Sequence, residues 1–97
     1  NPYRVGKECN MIKPVANTAV LDADHDQQTY RYVRVVNTHA TSVANVEIGA
    51  ASDSVEKTIN LDGGEAVNID LGATGMYVSL HTNVATCYIT PIAGGGE

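Results

Sequence analysis

The chain has 97 residues, six basic against eleven acidic, giving a net charge of −5 and an isoelectric point near 4.9. Its 10.2 kDa can bury one modest core in one domain, and leaves no room for a two-domain enzyme with a cleft between its halves. The acidic balance gives no electrostatic footprint for nucleic acid or an anionic membrane surface, so neither is expected as a partner.

Twelve Val, six Ile and nine Thr stand against four Leu, a bias toward strands. No stretch approaches the ~18 apolar residues that a spanning helix needs. The expected fold class is all-β.

Residues 1–15 show no clean alternation. They carry Arg4, Lys7 and Lys13, half of the six basic residues, and two of the three prolines. This composition fits an extended arm that lies on a partner or a neighbouring subunit, with Tyr3, Arg4, Lys7 and Lys13 as contacts. The plainer reading is an irregular edge segment packed on its own domain. Residues 16–93 are expected to form a single β-sandwich, and 94–97 a flexible glycine-rich tail.

Asp22-Ala23-Asp24-His25-Asp26 is the densest polar cluster. Alternate carboxylates suit a hard cation, which makes Asp22, Asp24 and Asp26 candidate calcium ligands. The EF-hand pattern fails after that start. Gln27 stands where its glycine belongs, and Val33 where its bidentate glutamate belongs. The preferred reading is a solvated acidic loop leading into the next strand, and no cofactor is expected.

From Tyr30 onward the period is two. Tyr30, Tyr32, Arg34 and Val36 alternate with Arg31, Val33 and Val35. Tyr30 and Tyr32 would share one face, as a contact platform or as a cap over an open edge of the core. Four further strands are expected around Ala44–Ile48, Val55–Leu61, Val67–Leu71 and Met76–Leu80, and a last one at 84–92. Asp62-Gly63-Gly64-Glu65 has the glycines of a tight hairpin turn. Turns every ~8–12 residues between short half-polar strands predict a small antiparallel β-sandwich, Ig-like or jelly-roll-like.

Cys9 and Cys87 are the only cysteines. Bridged, they would close a loop of roughly 80 residues, worth on the order of 4 kcal/mol in the chain-entropy model. Unbridged, they are two buried thiols, the preferred reading. Two lone cysteines lack the spacing of a metal site. His25, His39 and His81 fall in or beside predicted turns, and no serine sits in a Gly-x-Ser-x-Gly elbow. Gly63-Gly64 and Gly94-Gly95-Gly96 precede no predicted helix that could hold a phosphate. The chain is not expected to be an enzyme.

Several stretches carry a resemblance. Tyr32-Val33-Arg34-Val35-Val36-Asn37-Thr38, Val46-Glu47-Ile48-Gly49, Leu61-Asp62-Gly63-Gly64-Glu65-Ala66-Val67 and Cys87-Tyr88-Ile89-Thr90-Pro91-Ile92-Ala93 lie in the last two-thirds of the chain. Together they resemble the small all-β virion proteins of tailed bacteriophages, particularly marine ones, in which a V-R-V-x-N-T strand precedes an L-x-x-G-E hairpin. The resemblance implies a capsid decoration (cement) protein or another small head or tail component. It implies assembly as trimers or at inter-capsomer junctions, with the major capsid protein and copies of itself as partners, located on the virion. The acidic Asp22–Asp26 cluster and the cysteine pair depart from that pattern. The alternative is a secreted or tail-borne adhesion or ligand-binding sandwich, which a Cys9–Cys87 bridge and a calcium loop would favour.

Overall fold

The computed structural model describes residues 13–24, 26–81 and 86–93. They form eight strands: β1 (Ala19–Leu21), β2 (Asp26–Gln27), β3 (Tyr32–Asn37), β4 (Ala44–Gly49), β5 (Lys57–Leu61), β6 (Ala66–Asp70), β7 (Tyr77–His81) and β8 (Cys87–Pro91). No helix occurs among the described residues. The strands make two four-stranded antiparallel sheets, ordered β1-β8-β3-β6 and β2-β7-β4-β5.

This order decides between the two expected topologies. β1 pairs with β8, β2 with β7, β3 with β6 and β4 with β5. The chain is thus a long ribbon folded at the β4–β5 hairpin and rolled across two sheets, which is the jelly-roll arrangement. Only β4 and β5 are both consecutive and paired, whereas an Ig sandwich keeps several consecutive strands side by side.

Alternation sorts the side chains as the two-residue period requires. Val33 and Val35 of β3 are fully buried, as are Ala44 and Val46 of β4 and Val78 of β7. Leu21, Ile69, Cys87 and Ile89 from one sheet meet Ile48, Leu61 and Leu80 from the other. Burying each such aliphatic side chain contributes about 1.5–3 kcal/mol, so this shared layer is the main source of stability.

Asp62–Glu65 is not a hairpin turn. It carries the chain from β5 in one sheet to β6 in the other, and the two strands do not pair. Gly64 takes φ +80° there, and the Glu65 carboxylate accepts from the Asp62 backbone N–H at 2.8 Å. A Cβ on Gly63 would stand 2.6 Å from the Ala40 carbonyl oxygen, so the β3–β4 loop rests directly on this glycine. Asn37, wholly buried at the end of β3, ties the corner together. Its Nδ2 donates to the carbonyls of Ser42 and Leu61, and its Oδ1 accepts from the His39 N–H. His39 Nδ1 then accepts from the N–H groups of Thr41 and Ser42.

Two short strands, β1 and β2, occur where none was expected. β1 and β2 are too short to show a period, and they flank the acidic cluster that reads as a loop. Lys13–Val15, outside any named strand, run alongside the end of β8. Pro14 bridges Ile92, the Val15 N–H donates to the Pro91 carbonyl, and the Ala93 N–H donates to Lys13.

Candidate interaction surface

The outward face of the β1-β8-β3-β6 sheet carries a row of apolar side chains. Val20 on β1 sits opposite Tyr88 on β8, Tyr88 opposite Val36 on β3, and Val36 opposite Ala66 on β6. The row crosses all four strands, about 14 Å at the usual strand spacing. Val20 is 56% exposed, and Tyr88, Val36 and Ala66 are half-buried. Outward positions on a sheet with one solvated face ordinarily alternate to polar. The row is therefore an apolar feature on a face that ordinarily turns polar.

The neighbouring row is polar. The hydroxyls of Thr18 and Thr90 hydrogen-bond at 2.6 Å, and Arg34 stands between Thr90 and Asn68. One step further, Tyr32 lies opposite Asp70. The Arg31 guanidinium grips Asp70 with two bonds, Nε to Oδ1 at 2.7 Å and Nη2 to Oδ2 at 2.9 Å. Its Cζ also lies 5.1 Å from the Tyr32 ring centroid. The Arg31 hydrogen bonds, with the Gly72 N–H, lower the Asp70 pKa to about 2. Tyr30 lies two residues before β3, exposed in a bend, so it does not share a strand face with Tyr32.

A second feature lies where the sheets part. β5 and β6 are the edges of opposite sheets on the same side of the sandwich. Between them runs a cleft of about 130 Å³, lined by Ile48, Ile59, Ile69, Leu71 and Met76, with charged residues including Lys57 and Asp70 at its mouth. The five apolar residues of its lining read as core in the sequence, which is why the cleft is not legible there.

The remaining candidates are placed as follows. Asp22, Asp24 and Asp26 do not converge: among the described residues no three metal-ligating side chains form a group. Asp22 Oδ1 instead accepts from the Asp24 N–H, while Asp26 enters β2 opposite Val78. Burial, then the charges of Asp22 and Asp24, raise the Asp26 pKa. Cys87 is fully buried in the core, and burial pushes its thiol pKa up. Cys9 lies outside the described residues, as do Tyr3, Arg4, Lys7 and His25. Among the described residues no helix is long and apolar enough to cross a membrane.

No family model, curated protein or solved structure matches the chain.

Proposed function

We propose that this chain is a virion structural protein, a capsid decoration protein that stabilises the shell by bridging neighbouring subunits. The observation that carries the reading is the apolar row Val20–Tyr88–Val36–Ala66 on the outside of a sheet. Its work is then to bury surface against another protein, here the major capsid protein and copies of itself. The jelly-roll strand order supports the reading by association, since viral capsid domains use it, but lectins use it too. The resemblance of the Val33–Thr38 and Leu61–Val67 segments to phage virion proteins weighs toward the capsid.

The test is co-purification with particles, followed by their thermal stability with and without the chain. Binding in many copies, with a raised disruption temperature, is the expected outcome. Particles that neither hold the chain nor gain stability from it would remove this reading.

The cleft between β5 and β6 favours a second reading, a tail-borne or secreted ligand-binding module. An apolar cavity near this size can admit a small hydrophobic group. A ligand or glycan screen on the isolated protein separates the two.

A further inference from the structure

Lys57 opens β5 directly opposite Ile48 of β4. Residues opposite one another in an antiparallel pair project to the same side of the sheet, and Ile48 is buried in the core. Lys57 therefore starts the inward-facing series of β5, followed at two-residue steps by Ile59 and Leu61. A cation stands where alternation calls for an apolar residue. It borders the cleft between β5 and β6, whose apolar lining is Ile48, Ile59, Ile69, Leu71 and Met76. The two carboxylates at the rim are already engaged. Arg31 holds Asp70 through Nε and Nη2, the Gly72 N–H donates to it as well, and Glu56 Oε2 accepts from the Ala50 N–H at 2.9 Å. Lys57 makes no ion pair and no side-chain hydrogen bond among the described residues.

We propose that the cleft binds a small apolar carboxylate, its hydrocarbon body against the five apolar side chains and its head at the Lys57 ammonium. Volume sets the size of the body. The cleft's space of about 130 Å³ is close to the ~150 Å³ cavity that holds a benzene ring, so a chain or ring of about four to six carbons fits. The lining sets its chemistry. Polar side chains stand only at the rim, so a sugar would find no partners for its hydroxyls inside. Charge sets the head. A cationic head would meet Lys57 as a like charge, with Asp70 and Glu56 already bonded elsewhere. A carboxylate instead gains a charge-assisted hydrogen bond, strengthened by the apolar walls beside it. An inward lysine also blunts the β5 edge against pairing with a further strand. That role requires a charge on the edge but no cleft beside it, and here the two adjoin. The inference rests on the reading of the cleft as a ligand site, and adds the size and charge of the ligand.

The test titrates the isotope-labelled full chain with hexanoate, hexanol and hexylammonium while its backbone amide signals are followed by NMR. Hexanoate is expected to shift the amides of Ile59, Ile69 and Leu71 saturably. It should bind roughly fivefold more tightly than hexanol, the gain of one partly exposed ion pair, and hexylammonium should bind more weakly than either. Lys57→Gln, at an exposed position, should bring hexanoate down to the level of hexanol and leave hexanol binding unchanged, which a variant with a damaged fold would not do. Equal binding of hexanoate and hexanol in the cleft overturns the proposal, and leaves an apolar site at which Lys57 serves only the strand edge. A preference for hexanoate that survives Lys57→Gln, or hexylammonium binding as tightly as hexanoate, overturns it as well. Shifts from none of the three, or only at residues outside the cleft, remove the proposal and the ligand-binding reading together. No particle is present in this experiment, so the capsid reading is left to particle binding.

Discussion

The side-chain amide of Asn37 donates to the carbonyl of Leu61 at 3.1 Å, joining the end of β3 to the end of β5 across the two sheets. The same nitrogen reaches Ser42 at 2.8 Å, and the Asn37 backbone exchanges bonds with Gly64 and Glu65. One buried amide therefore holds the corner at which the chain changes sheet.

Removing that amide should be costly. Asn37→Ala leaves the carbonyl of Leu61 and the N–H of His39 without their side-chain partner. A loss of about 2–4 kcal/mol is expected, because buried polar groups left unpaired carry their full desolvation penalty. Urea unfolding reads it directly, and the thermal midpoint should fall by at least ~8 °C for a domain of this size. A variant within ~0.5 kcal/mol of the parent would mean that the corner holds without Asn37.

Gly49 should tolerate no side chain. A Cβ there would fall 1.6 Å from the backbone oxygen of Ser54, in the turn after β4. Gly49→Ala must displace that turn and the Glu56–Ile48 backbone bond beside it. The expected cost is about 1–3 kcal/mol by denaturant titration. Gly64→Ala meets no atom within 4 Å and should lose only the strain of its positive φ, on the order of 1 kcal/mol. Equal costs at the two positions would contradict the steric account.

These corners show where sequence reasoning succeeds and where it stops. The alternation from Tyr32 to Asn37 and from Ala44 to Ile48 was legible because each strand has one buried and one outward face. β1 and β2 escaped it, being too short to display a period. Asp62-Gly63-Gly64-Glu65 announced a turn but not its partners: the same glycines serve a hairpin or a change of sheet, and Asn37, 25 positions earlier, decides which. The apolar row was equally hidden. Val20, Tyr88, Val36 and Ala66 come from four separate segments, and only the register aligns them.

The Arg31–Asp70 pair gives a pH signature. Asp70 titrates near 2 in the folded chain, below the ordinary ~3.9 of an unfolded aspartate. A lowered folded value adds stability above pH ~4, and that increment is lost as pH falls toward 2. Asp70→Asn should be less stable than the parent at pH 6, and the difference should shrink between pH 4 and 2 when urea midpoints are compared. A difference constant over that range would rule out the ion pair as its source.

Cys87 should be chemically silent in the native state. Its side chain is fully buried, and burial raises its pKa away from the reactive thiolate. A thiol reagent should modify it only as fast as the domain opens, and rapidly in denaturant. Prompt labelling of Cys87 in native protein would contradict its place in the core.

The apolar row predicts a separation of binding from folding. Val20→Lys changes an exposed position at the edge of the row, so stability should stay within ~0.5 kcal/mol. Particle binding should weaken by roughly tenfold, because the lysine sets an unpaired charge against an apolar contact that must be desolvated. A variant that binds as tightly as the parent would place the contact on another face.

Mass measurement of copies per particle tests the central claim most directly, on virions purified from the source of this chain. The account predicts many copies in a fixed ratio to the major shell protein, and earlier disruption on heating when they are stripped. Virions that carry no copies, with the chain recovered only as a free monomer, would contradict it.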